Sequence, residues 1–157
     1  IKNYYKDLIL SLNNVILIRK PELVLNSYKK KNKNYEFKDL GFQQLYEIYE
    51  FIYNRLGYFP LIIDADDLQN NPELTLRKLC NCLEIPFFMS MLNWSSGSKK
   101  YDGIWGVHWY KEINKTTGFR RNTSTNLDEI YKKFSQKDQE IIHKANKIYF
   151  KILEKKI

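Results

Sequence analysis

The chain has little of what builds covalently or metal-held scaffolds. Two cysteines in 157 residues exclude a disulfide framework of the kind small secreted domains use. They stand as Cys80 and Cys82, too close together and too isolated for a structural zinc site. No apolar run approaches the ~20 residues of a membrane-spanning helix, and no secretory-leader pattern opens the chain. Arginine is scarce beside lysine, five against 21. Nucleic-acid binders cluster arginine within a recognisable motif, so the net charge of +8 reads instead as a lysine-rich solvated surface. The accompanying 15 asparagines point to compositional drift rather than selection for a polyanion. The densest basic run, residues 29–34, reads as a solvated linker. The expectation is a soluble, reduced, cytoplasmic protein with neither a nucleic-acid nor a membrane partner.

What is present is core-forming material. Hydrophobic residues make up 43% and aromatics 15%, too apolar for a disordered chain. The length allows one domain, or part of one, with a real core. The chain opens on Ile1 rather than Met, and further sequence is expected upstream.

Periodicity gives the elements. Residues 4–12 read as the end of a helix, broken at Asn13 and Asn14. Val15, Ile16, Leu17 and Ile18 form a short continuous apolar run, the pattern of a strand buried on both faces in a parallel sheet. Arg19 and Lys20 follow, and Pro21 suits a first helical position, where its missing N–H costs nothing. The helix runs through Tyr28. Phe42, Leu45, Tyr46, Tyr49, Ile52, Tyr53 and Leu56 recur at i, i+3, i+4 spacing, with Gly57 as a C-terminal stop. Residues 60–64 read as a second buried strand. Residues 66–72 read as a turn into a helix whose apolar face is Leu74, Leu76, Leu79, Cys80 and Leu83. The crossover between the strands is about forty residues with helices inside it, as a parallel βαβ connection requires.

From residue 86 to 119 the texture becomes aromatic and irregular, holding all three tryptophans and four of the six glycines, with a short helix expected near 108–113. Asn126 is placed to cap a helix over 127–133. Ser135 opens a last helix with Ile141, Ile142, Ala145, Ile148, Tyr149, Ile152 and Leu153 on one face, and its pairing with Asp138 approximates a capping box. Two parallel strands do not make a stable sheet, so further strands are expected outside these residues or from a partner, a homo-oligomer included.

Arg19 is the first candidate for chemistry. Ligands bind beyond the carboxyl ends of strands in open parallel sheets, and a guanidinium offers paired donors suited to phosphate; pairing with a neighbouring carboxylate is the alternative. Ser27 adds a hydroxyl eight residues on. Asp64, Asp66 and Asp67 lack a further oxygen ligand at loop spacing for a metal, so no metal is expected, and they read as capping the next helix. His143, on the last helix, reads as a surface residue.

The two blocks together carry a resemblance. Residues 16–28, a buried strand followed by Arg19, Lys20 and Pro21 and then Ser27 with Tyr28, are similar to the sulfotransferase segment that grips the 3′-phosphate of the sulfate donor. Residues 62–72, with Asp66, Asp67, Leu68, Asn71 and Pro72, continue through a Leu-rich helix to Glu84, Ile85, Pro86 and Phe87, and resemble that family's second conserved block. The stretch from Met91 to Phe119 resembles a bacterial and plant sulfotransferase-like branch.

The resemblance implies an α/β, helix-rich, three-layer P-loop-type fold with a parallel sheet, here a single incomplete domain over residues 1–157 lacking the strand of the donor loop. It implies 3′-phosphoadenosine 5′-phosphosulfate (PAPS) as cofactor and a sulfuryl transfer to a hydroxyl or amine of a small molecule. Arg19 and Ser27 would hold the 3′-phosphate, and Lys99, Lys100 and Gly103 would belong to a loop over the nucleotide. Apart from the resemblance, Trp105, His108 and Trp109 are candidates to wall an acceptor pocket, since aromatic walls with a few polar groups suit small ligands; core packing or a backbone hydrogen bond is the alternative for His108. The departures are specific. No glycine is followed by lysine anywhere in the chain, so the donor loop and the general base are expected upstream of Ile1. Ala65 stands where many members carry an adenine-packing Tyr. A P-loop kinase-like enzyme and a non-catalytic interaction module of the same fold stay open as alternatives.

Overall fold

The computed structural model describes residues 3–104, 106, 110–120 and 126–157. The elements run α1 (Asn3–Leu10), β1 (Val15–Ile18), α2 (Pro21–Lys29), α3 (Phe42–Leu56), β2 (Leu61–Asp64), α4 (Ala65–Asn70), α5 (Pro72–Cys82), α6 (Leu127–Lys132) and α7 (Gln136–Leu153), with single 3-10 turns between them. The fold is mixed and helix-rich, around a small parallel sheet. It divides into two compact units, residues 1–66 with 123–157, and residues 67–122.

In the first unit β1 and β2 pair in parallel, Val15 opposite Leu61 through Ile18 opposite Asp64. The far edge of β2 takes the chain terminus: Lys156 bridges to Ile62, and Ile157 N–H donates to the Ile62 carbonyl at 3.1 Å. The helices pack by their apolar stripes. Ile16, Ile18, Phe42, Tyr49, Ile62, Ala145, Tyr149 and Ile152 form one buried cluster, and Leu25, Phe134, Ile141 and Ile142 form a second. The expected apolar face of the last helix is thus the face it buries, and His143 on the opposite side is exposed. α3 begins and ends where its periodicity put it, stopped by Gly57 at φ 75°, a left-handed conformation that costs glycine little.

Three local expectations are corrected. β1 is not buried on both faces: Ile16 and Ile18 are, whereas Val15 is 39% and Leu17 57% exposed, because among the described residues no layer covers that side and no strand pairs with its outer edge. β2 is covered more fully, with Ile62, Ile63 and Asp64 all buried. Residues 66–70 are not a turn. They belong to α4, which starts directly from β2 because Asp64 Oδ1 accepts the Asp66 N–H at 2.7 Å and so caps it. In α5 only Cys80 is buried, while Leu74 of the expected apolar face is 58% exposed.

The second unit is built on α5 and the irregular segment after it. α5 ends in a paired-bond cap, Ile85 N–H to the Cys80 carbonyl at 3.0 Å and Glu84 N–H to the Asn81 carbonyl at 3.2 Å. That cap wants a left-handed residue, usually glycine; Glu84 supplies it at φ 54°. Arg77 lies over the Phe87 ring, 4.1 Å from its centroid. Trp94 anchors the return of the chain: its indole N–H donates to Thr116 Oγ1 at 3.0 Å, and its backbone N–H donates to the Thr117 carbonyl at 3.0 Å. Phe119 stands edge-on to it at 5.3 Å. Of the helix expected at 108–113, residues 108 and 109 lie outside the described residues; a 3-10 turn covers Ile113–Lys115.

Candidate functional site at the carboxyl ends of the strands

β1 and β2 are parallel, so both deliver their following residues to one end of the sheet. Arg19 and Lys20 leave β1 there, and Asp64 closes β2, its Cα in register with that of Ile18. Four charged side chains and one hydroxyl then sort themselves out. Lys20 Nζ pairs with Asp66 Oδ2 at 2.7 Å. The hydrogen bond to Asp66 raises the Lys20 pKa above its ordinary value, against an opposing loss of hydration. Asp64 is 4% exposed and is satisfied twice without a cation, by the Asp66 N–H and by the Tyr149 hydroxyl at 2.5 Å. Arg19 makes no ion pair within 4 Å among the described residues, and its buried Nε has no hydrogen-bond partner. Asp66 Oδ1 is likewise buried with no partner; a buried polar atom left unmade is costly, and each such atom calls for an explanation, an ordered water or ion among them.

Beside this charge group lies a cleft of about 350 Å³, walled by Lys20, Glu22, Tyr131, Tyr149 and Phe150, among others. Glu22 on its rim accepts from Asn146 Nδ2 at 3.0 Å. Arg19 does not line this cleft.

The other expected site residues fall as follows. Ser27 lies on the exposed side of α2, about 9 Å along the axis from Pro21 at 1.5 Å per residue. Lys99, Lys100 and Gly103 share one loop in the second unit. Lys99 Nζ is already occupied there, donating to the carbonyls of Ser95 at 2.5 Å, Ser96 at 3.1 Å and Gly97 at 2.5 Å. An ammonium has three donors, so this one has none to spare in this conformation. Lys100 Nζ stands 6.0 Å from the Tyr101 ring centroid, and Gly103 turns the chain at φ 64°. Trp105, His108 and Trp109 lie outside the described residues. Ala65 is buried at the start of α4, with no ring to offer an adenine.

Two participants, Lys20 and Tyr149, were not legible as site residues. Lys20 had a signal, its position directly after Arg19 at a strand end. Tyr149 had none, because its spacing on α7 is that of a core residue, which it also is.

Against known proteins, two curated relatives from Arabidopsis thaliana match the chain over 104 residues. They are the branched-chain-amino-acid aminotransferase-like proteins 2 and 1, 47% and 46% identical respectively. In each the match takes in 66% of this chain and 18% of the relative, so the chain spans less than a fifth of their length. No solved structure matches. The family model described as a sulfotransferase domain matches residues 6–137, a span that contains β1, Arg19, β2 and the whole second unit. The chain belongs to the sulfotransferase domain family.

Proposed function

We propose that this chain forms part of a sulfotransferase using 3′-phosphoadenosine 5′-phosphosulfate, with Arg19 holding the donor's 3′-phosphate. The observation that carries the reading is the Arg19 guanidinium at the carboxyl end of a parallel strand, with a buried Nε and no partner. A phosphate accepts paired donors from a guanidinium in a way no ammonium reproduces. Ser27 adds a hydroxyl to the same anion in this reading. When bound, the donor supplies an activated sulfuryl group that passes to a nucleophilic hydroxyl or amine. What the chain contributes is a fixed positive charge where the nucleotide's phosphate rests, and hence the position of the nucleotide.

The loop of Lys99, Lys100 and Gly103 fits the nucleotide less well. Lys99 would have to release three carbonyls before its ammonium could reach a phosphate, so in this reading its part is to hold the loop shape. Trp105, His108 and Trp109 are proposed as walls for a small-molecule acceptor. The sheet is proposed to be part of a three-layer P-loop-type fold, a cytoplasmic protein in its native setting.

The test is titration of adenosine 3′,5′-bisphosphate into the full-length protein and its Arg19→Ala variant. Losing a charged hydrogen-bond set is worth ~1.5–3 kcal/mol, about tenfold to somewhat over a hundredfold in affinity. Equal affinity in both proteins would overturn the role of Arg19. A folded wild-type protein that takes up no bisphosphate at millimolar concentration would favour a non-catalytic module of the same family.

A further inference from the structure

We infer that the cleft between α2, α6 and α7 binds a small organic cation, an ammonium carried on an apolar body. This goes beyond the reading of Arg19, which does not line the cleft, and does not rest on it. All the walls belong to the first unit. At about 350 Å³ the cleft has the size of a small-ligand site.

Charge gives the sign of the ligand. Three charged side chains line the cleft, Lys20, Glu22 and Asp128. The Lys20 ammonium is answered by Asp66 at 2.7 Å. Neither Glu22 nor Asp128 has an ion-pair partner among the described residues. Glu22 Oε1 accepts from the neutral Asn146 amide at 3.0 Å, which leaves the charge uncompensated. Both carboxylates lie in the first turns of their helices, a placement that favours an acid but brings no counter-ion. In a chain of net charge +8, this cleft is a local reversal of sign.

The walls fit the same ligand. Tyr131 and Phe150 line the cleft with Leu127 and Leu153, and the two rings are 41% and 57% exposed. A cation is attracted to a ring face within about 6 Å of its centroid. Elsewhere the chain uses its own lysines in this way: Lys137 over Tyr35 at 4.9 Å, Lys151 over Tyr46 at 4.6 Å and Lys155 over Phe59 at 5.3 Å. Among the described residues no lysine or arginine stands over Tyr131 or Phe150. An ammonium on an apolar body uses both features at once. The carboxylates answer its charge, and the rings attract the charge and cover the body.

The experiment titrates the full-length protein with 2-phenylethylamine, which is protonated at neutral pH, and with its neutral counterpart 2-phenylethanol, followed by ligand-observed NMR. The amine is expected to bind about two- to fivefold more tightly than the alcohol, the scale of an exposed ion pair. That advantage is expected to vanish at about 1 M salt, where screening acts within about 3 Å. In the double variant Glu22→Gln with Asp128→Asn the two probes are expected to bind equally, with the alcohol's affinity kept, which shows that the cleft is intact. Phe150→Ala, at an exposed position, is expected to weaken both probes. Equal binding of the two probes to wild type overturns the inference. So does an amine preference that survives in the double variant, or a Phe150→Ala variant that binds both probes as wild type does, since the amine then binds somewhere else.

Discussion

Asp138 occupies the third position of α7 and has 0% exposure. One oxygen receives Lys29 Nζ at 2.5 Å and the Ser135 N–H at 2.9 Å; the other receives the Tyr35 hydroxyl at 2.5 Å. Burial alone would push this carboxyl up, but the hydrogen bonds from Lys29, Tyr35 and Ser135 outweigh it and bring it down from 3.8 to about 2. That difference corresponds to roughly 2 kcal/mol favouring the folded, ionised state. The sign follows. The contribution is fully present above about pH 4 and is lost as the pH falls toward 2. Lys29 and Tyr35 are both raised, Lys29 chiefly by its bond to Asp138 and Tyr35 chiefly by burial. Their contributions are therefore present at neutral pH and wane above about pH 10. Urea denaturation of Asp138→Ala is expected to show a loss of about 2–4 kcal/mol, with a flatter stability profile than wild type between pH 4 and 2. An unchanged acid limb would refute the assignment. The sequence pattern of Ser135 and Asp138 pointed to a cap; that the same carboxylate also captures Lys29 and Tyr35, over a hundred residues away, is a fact of packing alone.

At the scale of elements, helix ends were readable wherever the cap lies within a few residues. Pro21 and Pro72 start their helices, Asn126 accepts from the N–H groups of Asp128 and Glu129, and the Ser135 box closes in both directions. The end of α5 was readable as a boundary but not as a strained one. Glu84 holds a left-handed conformation that L-residues adopt at a cost of about 1–2 kcal/mol. Glycine there gains most of that back but has a more disordered unfolded chain, worth 0.4–1 kcal/mol the other way as an order of magnitude. Glu84→Gly is expected to raise stability by up to about 1 kcal/mol, and Ser135→Ala to lower it by about 1 kcal/mol, both measurable by thermal or urea unfolding. A Glu84→Gly variant less stable than wild type would show that the Glu84 side chain contributes more than its backbone costs.

For the whole molecule, the sheet decides most. β2 is enclosed by α3, α7 and the chain terminus, whereas β1 shows one face and one edge to solvent. Ile62→Ala is therefore expected to cost about 2–5 kcal/mol, as a buried large-to-small change does. Leu17→Ala in these same 157 residues is expected to change stability by less than about 1 kcal/mol, because its side chain is 57% exposed. Equal losses at the two positions in denaturant melts would mean that the outer face of β1 is covered in solution. The basic charge has a similar division. Most lysines are solvated, yet Lys20, Lys29 and Lys99 have specific partners, and the basic group left without one is Arg19 among the residues of the strand end.

The sequence by itself determined the helices other than α4, the two strands, their parallel sense and the family, because periodicity, caps and short motifs are local and survive reading one residue at a time. It also singled out Arg19, since an arginine directly after a buried strand is a local pattern. What only the tertiary structure decided is the state of that arginine. Lys20 pairs with Asp66 and the Tyr149 hydroxyl of the last helix donates to Asp64, while Arg19 Nε is buried with no partner. Partner choice among charges is settled by distances of a few ångströms, and no periodicity carries that information. The exposure of Leu17 has the same origin: its side chain is apolar in any reading, but burial is a property of what lies opposite.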